Sequence, residues 1–507
     1  MKKEAVLDTV VIGSGFAGSV ISSRLTEAGI PVTLLERGPW RDTIAVRSAG
    51  IDETTPFPRG SAMFTSLIRN LRLPRSPRLT LNPRGLFDIH IDKGTTVICS
   101  SNVGGGSHVY SAVHRLPHVP NFWDGHAEGV SNEIMQTHYD LIIKEMGLVL
   151  ATPELGLPNT TNKRYAGSEI LETPALDGPT WLGFLFPQAN EKPKLTVDSN
   201  GLSRYEIDLD ANDDGFFGSP RSSKTTVDVV YLIPAMRRGL KIRDLCEVNT
   251  VEALPEGSGA RYAVNFFDYG QKTSERVLAN NVILAAGGIN TLRILLRSRD
   301  KANTLSGMPK LGVRFGLNGD FIGWWNQKEY GDQTAGLPSR GSFRLRSDED
   351  HPILGGGALP SIAYYPLPKI LKKSLSHYLW IAGMGVDAMD GTVSWRRRDI
   401  RINFTELDSP FYVKLSKEIK SLEQKSGKRI YHPKNATTIH PIGGACLGAT
   451  IENGVINNNG EVFGYPGMYV TDGSALPQEP GGPPSLTIAA WSSYVASRFI
   501  AKRFANI

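Results

Sequence analysis

The chain has 507 residues, 40% hydrophobic and 21% charged, an ordinary globular composition with length enough for two domains and a sizeable core. Its 56 Lys and Arg against 50 Asp and Glu leave a net charge of +6, too dilute to imply nucleic acid, and the densest cluster, Arg396-Arg397-Arg398, reads as a solvated strand end. Cys99, Cys246 and Cys446 show neither CxxC nor zinc-ligand spacing, so neither a disulfide framework nor a bound metal is expected.

No apolar run approaches the roughly 20 residues that a membrane span needs. Met1-Lys2-Lys3 has the charge of a leader, but Ala5 to Ile12 runs straight into a glycine loop without a small-residue cleavage site. A cytoplasmic chain is expected, with secretion by a leader lying further upstream left open.

Val6 to Ile12 (VLDTVVI) is a largely β-branched run that predicts a strand. It ends in Gly13-Ser14-Gly15-Phe16-Ala17-Gly18, after which Val20, Ile21 and Leu25 keep helical spacing. Strand, glycine turn and helix together form a dinucleotide fingerprint. Gly13 permits the tight turn, Gly15 lets the backbone approach a pyrophosphate, and Gly18 lets the helix pack closely on the strand. The phosphate then meets the helix N-terminus. Pro31 to Leu35 predicts a second strand that delivers Glu36, followed by Arg37. Glu36 lies 18 residues past the last glycine, close to the spacing at which an acid accepts both ribose hydroxyls of an adenosine and disfavours a 2′-phosphate. This motif alone leaves NAD and FAD both open.

Thr43 to Leu81, carrying Phe57, Met63, Phe64, Leu67 and Ile68 among prolines and arginines, predicts a long connection. Asn102 to Tyr110 (NVGGGSHVY) is a second glycine-rich loop. Gly104, Gly105 and Gly106 bunch backbone amides into an anion nest or a surface on which a flat ring can lie, with a flexible loop as the alternative. Ser107 and His108 follow directly, and His108 could touch the ring or the substrate. Ser223 to Thr226 leads a helix, and Leu245 to Val251 predicts a strand of the kind that holds an adenine through its backbone, Val248 being the candidate. Asn281 to Gly288 (NVILAAGG) predicts a buried strand closing on Ala286 and Gly287, then a helix through Leu292, Leu295 and Leu296. Thr392 to Phe404 alternates as half-buried antiparallel strands do, and Phe411 to Leu422 predicts a helix.

The C-terminal block holds HPIGG with His440, then YVTDGSALP, then GGPPSLTIAA. With GSGFAG and Glu36, NVGGGSHVY and AAGGINT, these motifs make the chain resemble the glucose-methanol-choline oxidoreductases, and within them the bacterial cholesterol-oxidase-like branch. The resemblance touches both termini and the middle in the family's order. It implies an α/β (α+β) protein: a Rossmann-like FAD-binding domain from residues 1–45, 85–115, 222–316 and 430–507, and a substrate domain from 116–221 and 317–429. That second domain is expected to be a mainly antiparallel sheet covered by helices. Residues 46–84 would be a lid admitting an apolar substrate, or an ordinary covering segment. Trp181, Phe184, Phe186, Trp324, Trp325, Tyr364, Tyr365 and Trp380 would wall the pocket if they face it.

The same resemblance implies that His440 faces the flavin, that Asp472 and Gly473 lie against the isoalloxazine and ribityl region, and that Pro483 to Thr487, with Pro484, Ser485 and Leu486, close the ring pocket. An alcohol gives up a hydride to flavin N5 only as its hydroxyl proton leaves, and an imidazole suits that proton. The implied function is FAD-dependent oxidation of a hydrophobic, sterol-like, cyclic or aromatic alcohol, with oxygen or another acceptor taking the electrons.

The chain departs from the family at Pro483, where an Asn or His usually pairs with the histidine. Proline offers no donor. Gln478 and Glu479, read here as a solvated loop, are possible substitutes. The stretch from 372 to 383 has His377 and no acid, which argues against sterol isomerisation. Two other readings stay open: a lyase or other non-oxidative flavin enzyme, and a non-catalytic flavin-binding protein.

Overall fold

The computed structural model describes residues 5–505 apart from 152–170, 173–178, 189, 209–213, 329–331, 335, 340, 346–353, 358–361 and 405–408. Met1 to Lys3 and parts of the expected substrate domain therefore lie outside the described residues.

Val6–Ile12 forms the first strand and Phe16–Glu27 the first helix. The strand joins a seven-stranded sheet in the order Lys241–Arg243, Val32–Leu35, Val6–Ile12, Thr273–Leu284, Tyr262–Asp268 and Cys246–Ala253, with Met468–Val470 beside the end of Thr273–Leu284. The first four strands run parallel, and the last two fold back as an antiparallel hairpin. Parallel strands covered on both faces need continuous apolar residues. Val10 to Ile12 and Val282 to Leu284 supply them, all essentially buried. The long helix Ser485–Phe504 packs on Phe16–Glu27, where Ser492 Oγ donates to the Ala17 carbonyl at 2.7 Å. The first turn accepts only glycine at two places. Gly13 has φ 99°, and a Cβ at Gly18 would stand 1.9 Å from the Gly13 carbonyl oxygen.

A six-stranded antiparallel sheet forms the second body, in the order Ile430–Tyr431, Phe321–Asn326, Tyr378–Gly383, Leu354–Gly357, Gly341–Leu345 and Leu171–Glu172. Helix Pro410–Ser426 turns Tyr412, Leu415, Ile419 and Leu422 inward. Ser409 caps its start by accepting from the Tyr412 amide at 3.1 Å, and Gly427 ends it at φ 64°. The expected pairing within Thr392 to Phe404 is a hairpin of Gly391–Arg396 and Asp399–Asn403. That hairpin continues through Val313–Gly316 to Ile442–Gly443. The α/β class and the two kinds of sheet are as expected.

The connection from Thr43 to Leu81 is not a plain loop. It holds short helices at Ile44–Ser48 and Met63–Ser66 and a strand, Ile68–Arg72, parallel to Phe87–Asp92 and antiparallel to Leu79–Thr80. The strand was illegible because charge replaces its apolar alternation. Arg69 and Arg72 are buried and bonded to Glu247 at 2.8 Å and Asp92 at 2.9 Å. Among the described residues no helix is long and apolar enough to cross a membrane, and no cluster of three or more metal ligands occurs.

Candidate active site

A cavity of about 990 Å³ runs between the two sheets' bodies, bounded by the first glycine turn at Gly13, Gly15, Phe16 and Ala17, and by Glu36 and Arg37. Gly105, Gly106, Ala286, Gly287, Asp472, Gly473, Pro484, Ser485 and His440 reach the same wall. A Cβ at Gly15 or Gly287 would meet no atom within 4 Å, so the cavity begins directly at their backbone. A Cβ at Gly105 would stand 2.6 Å from Gly15 Cα. The two glycine loops therefore touch, and only glycine lets them.

Gly18, Gly104, Ser107, His108, Val248 and Leu486 lie behind this wall rather than on it. His108 was expected at the ring or substrate, but its side chain is buried with Nε2 3.3 Å from Asp228 and its ring against Phe57. The carboxylate draws the imidazole inward. Ser107 Oγ donates to the Gly104 carbonyl at 2.7 Å and accepts from the Val227 amide at 3.1 Å, fixing the loop's turn. Val248 and Leu486 are core residues.

The second loop is not flexible, because Lys224 fastens it. Its buried ammonium donates to the carbonyls of His108 at 3.2 Å, Tyr110 at 2.8 Å and Gly215 at 2.5 Å. Burial lowers its pKa to about 7. Glu36 accepts from the Ser14 amide at 3.0 Å, the Ser14 hydroxyl at 2.7 Å and the Gly38 amide at 2.8 Å, so it steadies the turn that it borders. Arg37 forms an ion pair with Asp88 and donates to the Ser100 carbonyl at 3.0 Å. Asp472 accepts from the Gly287 amide at 2.9 Å, the Thr291 hydroxyl, and the Ser474 amide and hydroxyl at 2.9 and 2.6 Å. It thus binds the TDGS turn to the start of helix Gly288–Asp300, where a carboxylate suits the helix dipole. Burial nonetheless raises its pKa.

His440 owes its position to strand pairing on both sides. Ala436–Thr438 pairs in parallel with Thr95–Ser100, and Ile442–Gly443 pairs with Val313–Gly316. The chain leaves that second strand and reaches Asp320 just before the next one, so Asp320 meets the histidine. Its Oδ1 lies 2.9 Å from His440 Nδ1, and its Oδ2 accepts from the Thr438 hydroxyl at 2.8 Å and the amides of Ile439 at 3.0 Å and His440 at 3.2 Å. Asp320 is buried, whereas the histidine side chain is 21% exposed and lines the cavity. A carboxylate at Nδ1 requires that nitrogen to carry the proton, leaving Nε2 as the ring's acceptor. The sequence reading missed Asp320, a lone acid in GLNGD without periodicity or motif.

Pro483 lines the cavity as expected, and the neighbouring loop differs from its reading. Gln478 Nε2 donates to the Phe122 carbonyl at 2.8 Å, and Glu479 is fully buried. Neither is solvated. Glu479 accepts from the Asn318 amide at 2.7 Å and the Asp387 amide at 2.8 Å, while the Asn318 side chain bonds Gly481 and Gly482. These bonds lock the Pro483 loop to the segment carrying Asp320. Burial pushes the Glu479 pKa from 4.5 up to about 7, against the pull of the two amides.

A carboxyl raised in the fold stabilises it fully below its unfolded pKa and loses that contribution as the pH rises through 7, a difference on the order of a few kcal/mol. Glu479→Gln cannot titrate. Thermal melts between about pH 5 and 8 are expected to show wild-type stability falling with pH relative to this variant. Parallel curves would refute it.

Of the aromatic residues expected on the wall, Trp324, Tyr365 and Trp380 are there, joined by Phe216, Phe217 and Tyr378. Trp324 faces Trp380 across paired strands, so strand alternation sends Trp325 into the core. Phe184 is core as well, and Trp181, Phe186 and Tyr364 stand off the cavity.

Residues 389–492 match the family model described as GMC oxidoreductase. A cholesterol oxidase of Acinetobacter baumannii is 25% identical over 98% of this chain and 94% of its own. A cholesterol oxidase of Mycobacterium tuberculosis is 25% identical over 97% and 90%. A long-chain-alcohol oxidase of Arabidopsis thaliana is 21% identical over 97% of this chain and 67% of its own. Among solved structures, pyridoxine 4-oxidase from Mesorbium loti superposes with a TM-score of 0.59 at 14% identity, covering 99% of both chains, a likeness of fold. Over its whole length the chain is thus similar to cholesterol and long-chain-alcohol oxidases, and its C-terminal part matches the GMC oxidoreductase model.

Proposed function

We propose that this protein is a GMC oxidoreductase that binds FAD and oxidises the CH–OH group of a hydrophobic, cyclic or sterol-like alcohol, with His440 handling the hydroxyl proton. The observation that carries the reading is His440, held through Nδ1 by buried Asp320, on the wall of the cavity that starts at Gly13 and Gly15. The backbone surfaces at Gly15 and Gly287, open beyond any neighbouring atom, and the acid at Glu36 fit a dinucleotide. The residues that would hold it are Gly13, Gly15, Phe16, Ala17, Glu36, Arg37, Gly105, Gly106, Ala286, Gly287, Asp472, Gly473, Pro484 and Ser485. When bound, the flavin supplies the acceptor for the alcohol's hydride.

The chain's own part is to orient the alcohol and take its proton. His440 Nε2, its partner nitrogen fixed by Asp320, accepts a hydrogen bond from the hydroxyl and then the proton itself. Trp324, Tyr365, Trp380, Phe216 and Phe217 offer an apolar body of substrate its complement and keep water from the reacting carbon. Cholesterol and long-chain alcohols, the substrates named for relatives, share that apolar character. Pro483 contributes shape and no hydrogen bond, so the proton-handling group is the Asp320–His440 pair rather than a pair of side chains across the alcohol.

The test is anaerobic flavin reduction by sterol, terpenoid and aromatic alcohols. Bleaching by apolar cyclic alcohols, ahead of short polar ones, is expected. A bound flavin that no alcohol bleaches would instead favour non-oxidative chemistry or a binding role.

A further inference from the structure

Away from the active site, six arginines converge. Arg72, Arg75, Arg396, Arg397, Arg398 and Arg401 line a second cavity of about 280 Å³ that includes one acid, Asp399. Of the nearby carboxylates, Asp92 is engaged through both oxygens and Asp399 through one, its Oδ2 being buried without a hydrogen-bond donor. Asp399 Oδ1 accepts from Arg293 Nε at 3.0 Å and the Ile400 amide at 2.8 Å. Asp92 accepts from Arg72 at 2.9 Å, Arg401 at 3.2 Å and the Ile402 amide at 3.0 Å. Arg75, Arg396, Arg397 and Arg398 are exposed, whereas Arg72 is 1% exposed. Arg72 spends Nη1 on His90, Ile91 and Asp92, yet its Nε and Nη2 are buried without an acceptor. Burial strips such a guanidinium of water, and unfilled buried donors are costly.

Two of these arginines also adopt backbone conformations that favour glycine. Arg397, in the turn between strands Gly391–Arg396 and Asp399–Asn403, has φ 57°, and Arg75 has φ 65°. The guanidinium fork matches phosphate oxygens two at a time. We propose that this cavity binds a compact anion of the phosphate class through Arg75, Arg396, Arg397 and Arg398, with the buried Arg72 completing its cationic lining. The volume lies just below the ~300 Å³ at which drug-sized ligand pockets begin, so the occupant is inorganic phosphate, pyrophosphate or a phosphate head group rather than a whole nucleotide.

The experiment is calorimetric titration of the full chain with inorganic pyrophosphate, at ionic strength held constant with sodium chloride so that screening is matched. Saturable binding at one site is expected, weakened at least about tenfold in Arg396→Ala/Arg398→Ala, whose two positions are exposed and do not line the active-site cavity. Flavin reduction should be unchanged in that variant. Sedimentation with phosphatidate vesicles separates the sources. Vesicle binding that the double variant loses, without pyrophosphate binding, assigns the site to a lipid head group. Absence of both, or binding equal in the double variant, overturns the proposal.

Discussion

His440→Ala is expected to slow flavin reduction by alcohol about 10²- to 10⁴-fold, the range that positioned acid–base help supplies, while flavin content stays at the wild-type level. The two readouts separate because the glycine turns would hold the flavin through backbone that truncating the His440 side chain leaves in place. The His440 side chain makes one hydrogen bond, from Nδ1 to Asp320, whereas its backbone amide also bonds Asp320 and Thr438 and survives truncation. The fold at this point therefore depends on the main chain more than on the imidazole. Stopped-flow reduction under anaerobic conditions, with absorbance at equilibrium giving flavin content, measures both quantities. Undiminished reduction in the variant would remove His440 from the reaction, and lost flavin would make its role structural.

The features legible in the sequence are those that backbone geometry imposes on residue type. Gly13 and Gly18 can be read because no other residue allows that turn and that packing, Gly15 because a side chain there would enter the cavity, and Glu36 because a strand length fixes its distance from them. His440 could be selected among ten histidines only through the motif around it. Asp320 could not be read at all and Glu479 passed for a solvated loop residue, since neither sits in a periodic element and each acquires its role from a contact 118 or more residues away in the chain. The buried arginines of Ile68–Arg72 misled for a related reason. A strand whose inward face is satisfied by Glu247 and Asp92 carries no hydrophobic alternation to detect. Aromatic residues showed the limit of composition in another way. Trp324 and Trp325 are chemically equal, and only the strand's direction decides that one faces the cavity and the other the core.

Asp320→Asn carries the second large expectation. An amide is nearly the same size, so the cavity keeps its shape, but the carboxylate that receives four hydrogen bonds is replaced by a group with a single acceptor oxygen. If that oxygen faces Thr438 and the two amides, the amide nitrogen faces His440 Nδ1 and can only donate. The imidazole must then present Nδ1 as an acceptor, which moves its proton to Nε2, the atom that should receive the alcohol's. If the amide turns over instead, Thr438 and the two backbone amides lose their acceptor, and the turn before Pro441 loosens. Either outcome is expected to lower the rate of flavin reduction by about 10² or more, with flavin content retained. The decisive comparison is the double variant. Because Asp320 acts through the imidazole, Asp320→Asn/His440→Ala should reduce the flavin no more slowly than His440→Ala alone, as residues working as one unit do. Losses that multiply would instead give Asp320 a contribution independent of the histidine, through the substrate or the cofactor directly.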